Sequence, residues 1–177
     1  DRPRGLRLAA DAQGWTSLCR LVTAAHTGAH TDRGAPWLTW AALREHHEGV
    51  VALLGPDSEV GRLISTRREY RAASAARPWR AIFGRRLGIA VTSHRRGGHH
   101  PHATATAAAM LRWARSERLP VVLTNAVRYL DPGDSRVADV LDAARRLVPL
   151  GSRHLEPGNG QAWLKDAREM ARIADEI

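Results

Sequence analysis

Residues 121–134, VVLTNAVRYLDPGD, decide how this chain is read. An apolar run, Val121-Val122-Leu123, ends in Thr124-Asn125 and is followed by Pro132, Gly133 and Asp134. Buried parallel strands have this pattern, because both faces of such a strand are covered. In α/β folds the C-terminal ends of the strands are where ligands bind. Yet the residues delivered there are Asn125, Ala126, Val127 and Arg128, with neither a carboxylate nor a histidine among them.

Outward from this segment, strands and helices alternate. A strand over 6–10 leads into a helix over 11–28, with Asp11 as its N-cap and Leu18, Leu21, Val22 and Ala25 as its apolar stripe. Thr39 caps a short helix that Gly49 stops, and VVALL (50–54) is a second strand. A turn and short helix follow, then a helical stretch over 66–83 that Pro78 should kink or split. LGIAVTS (87–93) is the third strand, 103–118 the clearest helix, 120–124 the fourth strand and 134–148 a helix capped by Asp134 or Ser135. The last helix is expected over 160–176. The fold class is therefore α/β, with about four parallel strands and surrounding helices in one domain over 1–177. Four strands cannot close a (β/α) barrel, which takes about eight. A partial barrel leaves open sheet edges, so the expectation is a missing N-terminal portion or a homodimer.

Composition narrows the classes. The chain has 177 residues, 44% of them hydrophobic, enough for a core and too many for a disordered chain. Its apolar runs are far shorter than the ~20 residues that cross a bilayer, so no membrane partner is expected. The opening residues lack a basic-then-apolar leader pattern, and a cytoplasmic location is expected. The first residue is Asp1, which suggests a piece of a longer chain. Cys19 is the only cysteine; it excludes an internal disulfide and reads as core within the α-helical stripe. The net charge of +9 favours an acidic partner such as DNA. Because Lys165 is the only lysine, part of that charge reads as the codon bias of a GC-rich genome.

Motifs for catalysis are sparse. His94, His99, His100 and His102 lie in HRRGGHHPH, where a Gly-Gly loop and flanking arginines disfavour a native metal centre; His99, His100 and His102 suit adventitious metal binding. His46 and His47 are adjacent and point to different sides of a helix. There is no G-x-S-x-G elbow and no G-x-x-x-x-G-K loop. The carboxylates fall at caps (Asp11, Asp57, Asp134) or on helix faces read as solvated (Glu117, Asp142, Glu169). The six tryptophans read as core or interface residues.

Four stretches, in order, carry a resemblance. LRLAADAQGWTSLCRLVTAAH is similar to a strand and helix of the type G-[YWF]-x-N-L-x-[KR]-L. HHEGVVALLGPDSEVGRLI, LPVVLTNAVRYLDPGDSRVADVLDAARR and EPGNGQAWLKDAREMARI resemble three later segments of the same family, the last with its Leu-Lys and closing Met helix. That family is the PHP domain of bacterial C-family DNA polymerases, the DNA polymerase III α subunit, with the texture of the divergent or error-prone actinobacterial-type branch. The resemblance implies the C-terminal portion of a PHP-type (β/α) barrel lacking its N-terminal strands. In the family this barrel holds metal ions on His, Asp, Glu and Cys at its strand ends. In some members it supports 3′–5′ proofreading, and in others it serves as scaffold. The family's ligand positions fall here at Arg4, Pro56, Ala126 and Arg128. Proline and alanine side chains offer no donor atom and arginine stays protonated. The resemblance thus implies a degenerate metal site, no catalytic residue and no cofactor in this chain. It also implies a structural role within a DNA-directed DNA polymerase, with the remainder of that chain, DNA and replication or repair subunits as partners. An Arg4 or Arg128 cation is expected to stand near a remaining acid. Two other classes stay open: a free-standing metal-dependent phosphoesterase built on the His94–His102 loop, and a small nucleic-acid-binding module.

Overall fold

A computed structural model of the chain describes residues 3–27, 36–98, 100–155 and 157–177. Along them run β1 (Leu6–Ala9), α1 (Ala12–Thr27), α2 (Trp40–Glu45), β2 (Val50–Leu54), α3 (Glu59–Ser65) and α4 (Glu69–Phe83). Then follow β3 (Leu87–Thr92), α5 (Thr104–Ser116), β4 (Val121–Thr124), α6 (Ser135–Arg146) and α7 (Ala167–Asp175). The described strands form a four-stranded, mostly parallel sheet in the order β1-β2-β3-β4, with helices around it. β2 and β3 are parallel, with Ala52 opposite Leu87 and Leu54 opposite Ile89. β1 departs from the all-parallel expectation: it runs antiparallel to β2, with Leu6 opposite Leu53 and Ala9 opposite Val50. Side-chain alternation encodes which face of a strand is covered but not its direction, and the long helical connection between β1 and β2 permits either sense.

The residues fall into two compact units, Asp1–Val91 with Ala109–Val122, and Thr92–Ala108 with Leu123–Ile177. In the first, side-chain caps set the helix starts. Asp11 Oδ1 accepts the Gly14 N–H at 2.7 Å, Thr39 Oγ1 the Ala42 N–H at 3.1 Å, and Ser58 Oγ the Gly61 N–H at 3.0 Å. Ser58, not the neighbouring Asp57, is therefore the cap of α3. Gly14 is required by a close approach, since a Cβ there would stand 2.0 Å from the Gly49 carbonyl oxygen. The core joins Leu21, Leu43, Leu54, Ile64, Trp79, Leu87, Ile89 and Met110, all essentially excluded from water. Trp79 stacks on Phe83 (5.8 Å between centroids) and takes the edge of Trp40 (5.1 Å).

Three expectations change in this unit. α4 runs unbroken through Pro78, and it begins only at Glu69 because Arg67 takes a left-handed conformation (φ +57°) after α3. Cys19 is exposed: the buried seam of α1 is Gly14, Ser17 and Leu21, so the predicted stripe is rotated and Val22 is 59% exposed. Glu117 is not a freely solvated acid but pairs with Arg80 at 2.7 Å.

The second unit depends less on apolar burial and more on polar ties. The predicted helix over 160–176 is shortened to Ala167–Asp175. Residues before it are extended, because their backbone is claimed elsewhere: Arg128 N–H donates to the Ala162 carbonyl at 2.8 Å, and Leu164 N–H to the Tyr129 carbonyl at 3.0 Å. Asp166 then caps α7, its Oδ1 accepting the Glu169 N–H at 2.8 Å. α6 starts after a 3-10 turn over Pro132–Asp134, and the Asp134 carboxylate turns back to the Asp131 N–H at 3.3 Å instead of capping the helix. Among the described residues no helix is long and apolar enough to cross a membrane.

Candidate functional site at the ends of the third and fourth strands

Within the second unit, the residues just past β3 and β4 form one buried polar cluster. The site begins with Asn125. A left-handed residue, Ala126 (φ +44°), follows it and turns the chain away from the strand direction. The Asn125 side chain is thereby buried (6% exposed) and used at every group. Its Nδ2 donates to the Trp163 carbonyl at 2.6 Å and the Gln161 carbonyl at 3.1 Å, and its Oδ1 accepts from Lys165 Nζ at 3.4 Å. Lys165 also donates to the Gln161 carbonyl and lies over the Trp163 ring, 5.0 Å from its centroid. The two sequence segments TNAVRY and QAWLK, 36 to 40 residues apart, are thus one physical unit.

His94 completes it from the β3 side. Its Nε2 donates to the Asn125 carbonyl at 2.8 Å, and its own carbonyl accepts from Asn159 Nδ2 at 2.6 Å. Its ring meets that of His102 edge-on at 4.6 Å, and His102 meets His100 at 5.6 Å. The HRRGGHHPH segment is therefore not simply a surface loop: His94 is 6% exposed and pinned by hydrogen bonds. Burial, then the nearby Lys165, Arg96 and His100 cations or rings, hold its pKa below the ordinary histidine value, against the Asn125 hydrogen bond that raises it. Burial, helped by Arg95, lowers the pKa of Lys165, with Glu169 opposing.

A cavity of about 400 Å³ opens beside the cluster, lined in part by His94, His102, Arg128, Asp142, Arg146 and Asn159. Arg128 forks onto Asp142 with two bonds of 2.9 and 3.0 Å, and that cation holds the Asp142 carboxyl below its usual range. Asp142 and Glu169 are paired acids rather than solvated ones, since Glu169 meets Arg95 at 2.9 Å.

The four positions singled out by resemblance divide between the units. Ala126 and Arg128 line the cavity of the second. Arg4 and Pro56 lie in the first, where the Arg4 backbone N–H donates to Glu59 Oε1 at 3.1 Å. Among the described residues no group of three or more His, Cys, Asp and Glu side chains is placed to hold a metal ion. His99 lies outside the described residues; His100 Nδ1 accepts the His102 N–H at 3.0 Å. Sequence reading missed the Asn125–Lys165 pair. Its signal was a lone lysine in an arginine-rich chain, four residues before a cap-like Glu169.

No family model matches the chain. It is similar to DNA polymerase III subunit alpha of Caulobacter vibrioides, 26% identical over 172 residues that cover 97% of this chain and 15% of the relative. It is 33% identical over 177 residues to the error-prone DNA polymerase of Anaeromyxobacter dehalogenans strain 2CP-1, covering 94% of this chain and 14% of that protein. For the error-prone DNA polymerase of Symbiobacterium thermophilum the identity is 30% over 179 residues, with 92% and 16% covered. The chain spans less than a fifth of the length of these relatives.

Proposed function

We propose that this chain, homologous to a stretch of DNA polymerase III subunit alpha and of error-prone DNA polymerase, is a segment of the PHP domain of such a polymerase and serves it as metal-independent scaffold. On this reading the parent is a cytoplasmic DNA-directed DNA polymerase acting in replication or translesion repair synthesis. The remainder of its chain is the first partner, and primer–template DNA and other replication subunits come next.

The single observation that carries the scaffold role is the chemistry at the β4 strand end. A metal centre there would need lone pairs on histidine, carboxylate or thiolate. The residues at the corresponding positions are Arg4, Pro56, Ala126 and Arg128, whose side chains supply none. The nearby Asn125 carboxamide is spent on Gln161, Trp163 and Lys165, and the Arg128 guanidinium is spent on Asp142. This donor set does not fit a metal ion. It fits a cross-tie that keeps a strand end in shape without one.

The test is nuclease assay of the parent polymerase on single-stranded DNA with manganese, zinc or neither. No turnover traceable to residues 1–177 is expected. Metal-dependent turnover that disappears on substituting His94, His100 or His102 would favour the phosphoesterase reading instead.

A further inference from the structure

The first unit carries an apolar groove on the outer side of α1. Trp15, Leu18, Val22 and Ala25 form one wall, and Pro36 and Leu38 another. The groove encloses about 780 Å³ and Arg4 and Arg7 stand at its end. Trp15 is 66% and Val22 59% exposed, although the opposite seam of the same helix is packed to exclusion at Leu21. A helix in a folded unit normally shows a polar outer face. An aromatic and two aliphatic residues in line along the outer face, bordering a groove, mark a surface built to be covered.

We propose that this groove seats an apolar segment with acidic residues at its edge, supplied by the part of the parent polymerase chain outside residues 1–177. The inference rests on the polymerase reading above. Two observations choose this occupant over a second copy. The relatives are several times longer than this chain, so most of such a polymerase lies outside it and is tethered to it at high effective concentration. A second copy laid groove to groove would bring Arg4 and Arg7 against their own counterparts in a chain of net charge +9, and like charges facing one another oppose pairing. The arginine end also sets polarity: Arg7 is part-buried, with its Nε unpaired among the described residues, and a carboxylate on the occupant would satisfy it.

The experiment places photo-reactive benzoylphenylalanine at position 15, in place of Trp15, in the full-length parent chain. Irradiation and peptide mass spectrometry then identify what it touches. The expected product is an intramolecular cross-link to an apolar, acid-edged peptide from outside residues 1–177. Under the same native conditions the Cys19 peptide should resist alkylation and become labelled on denaturation. Cross-links only to another copy, only to another polypeptide, or to nothing, with Cys19 freely labelled, overturn the proposal. If the native product proves to be only this chain, the polymerase reading itself falls, which separates the two failures.

Discussion

His94 titrates in surroundings that are already cationic. Its native pKa is lowered, so between that value and the ordinary 6.5 the unfolded chain binds a proton that the native chain refuses. The associated stability is complete above about pH 6.5 and is lost as pH falls through the lowered native value. Thermal melting across that window should show a decline on acidification that His94→Gln removes; an unchanged profile in the variant would contradict the assignment. Asn125 is the second residue to test. Its removal leaves the Gln161 and Trp163 carbonyls and the Lys165 ammonium short of partners, so Asn125→Ala should cost about 1–3 kcal/mol in denaturant unfolding. Gly14 offers a check on the other unit. A methyl group 2.0 Å from the Gly49 oxygen must displace backbone, so Gly14→Ala should destabilise by about 1–3 kcal/mol or more, measured the same way.

At the scale of elements, α7 is held by one guanidinium. Arg95 reaches Glu176 at 2.7 Å, Glu169 at 2.9 Å and Gln161 at 3.4 Å, and both carboxylates are held below their usual pKa by it. α7 has only nine residues, short for independent helix formation, and Ile173 is its one buried residue. Arg95→Ala should therefore speed amide exchange over α7 while α4 keeps its protection; equal exchange in α7 would show that packing alone holds it.

Much of this level was legible. β2, β3 and β4 announce themselves as apolar runs between turn residues, and Thr39 marks the start of α2 through an oxygen that does cap it. The failures have specific causes. Asn125, Arg128 and Tyr129 claim the backbone before α7, a tertiary demand that helical periodicity over 160–176 cannot reveal. Cys19 and Leu21 differ by two positions on α1, and a stripe of apolar residues on more than one side left the buried side ambiguous. The absence of ligand-type side chains at the β4 end was readable from Ala126 and Arg128 alone. That Asn125 and Lys165 would be joined there was not, because the pairing depends on the extended run over residues 161–165.

For the whole molecule, the net charge of +9 overstates the positive charge free to meet DNA. Arg80, Arg95 and Arg128 are each tied to carboxylates, and Arg146 donates to the His154 carbonyl. The central claim is that such a chain works as one scaffold segment of a much larger polymerase. The most direct measurement is the size of the native gene product, by antibody against this chain with peptide mass spectrometry. A polypeptide several times larger than 19.4 kDa, yielding peptides from polymerase sequence beyond residues 1–177, is the expected result. A product of 19.4 kDa alone would contradict it, and would return the His94–His102 segment and the basic surface to direct assay for phosphoesterase and nucleic-acid binding.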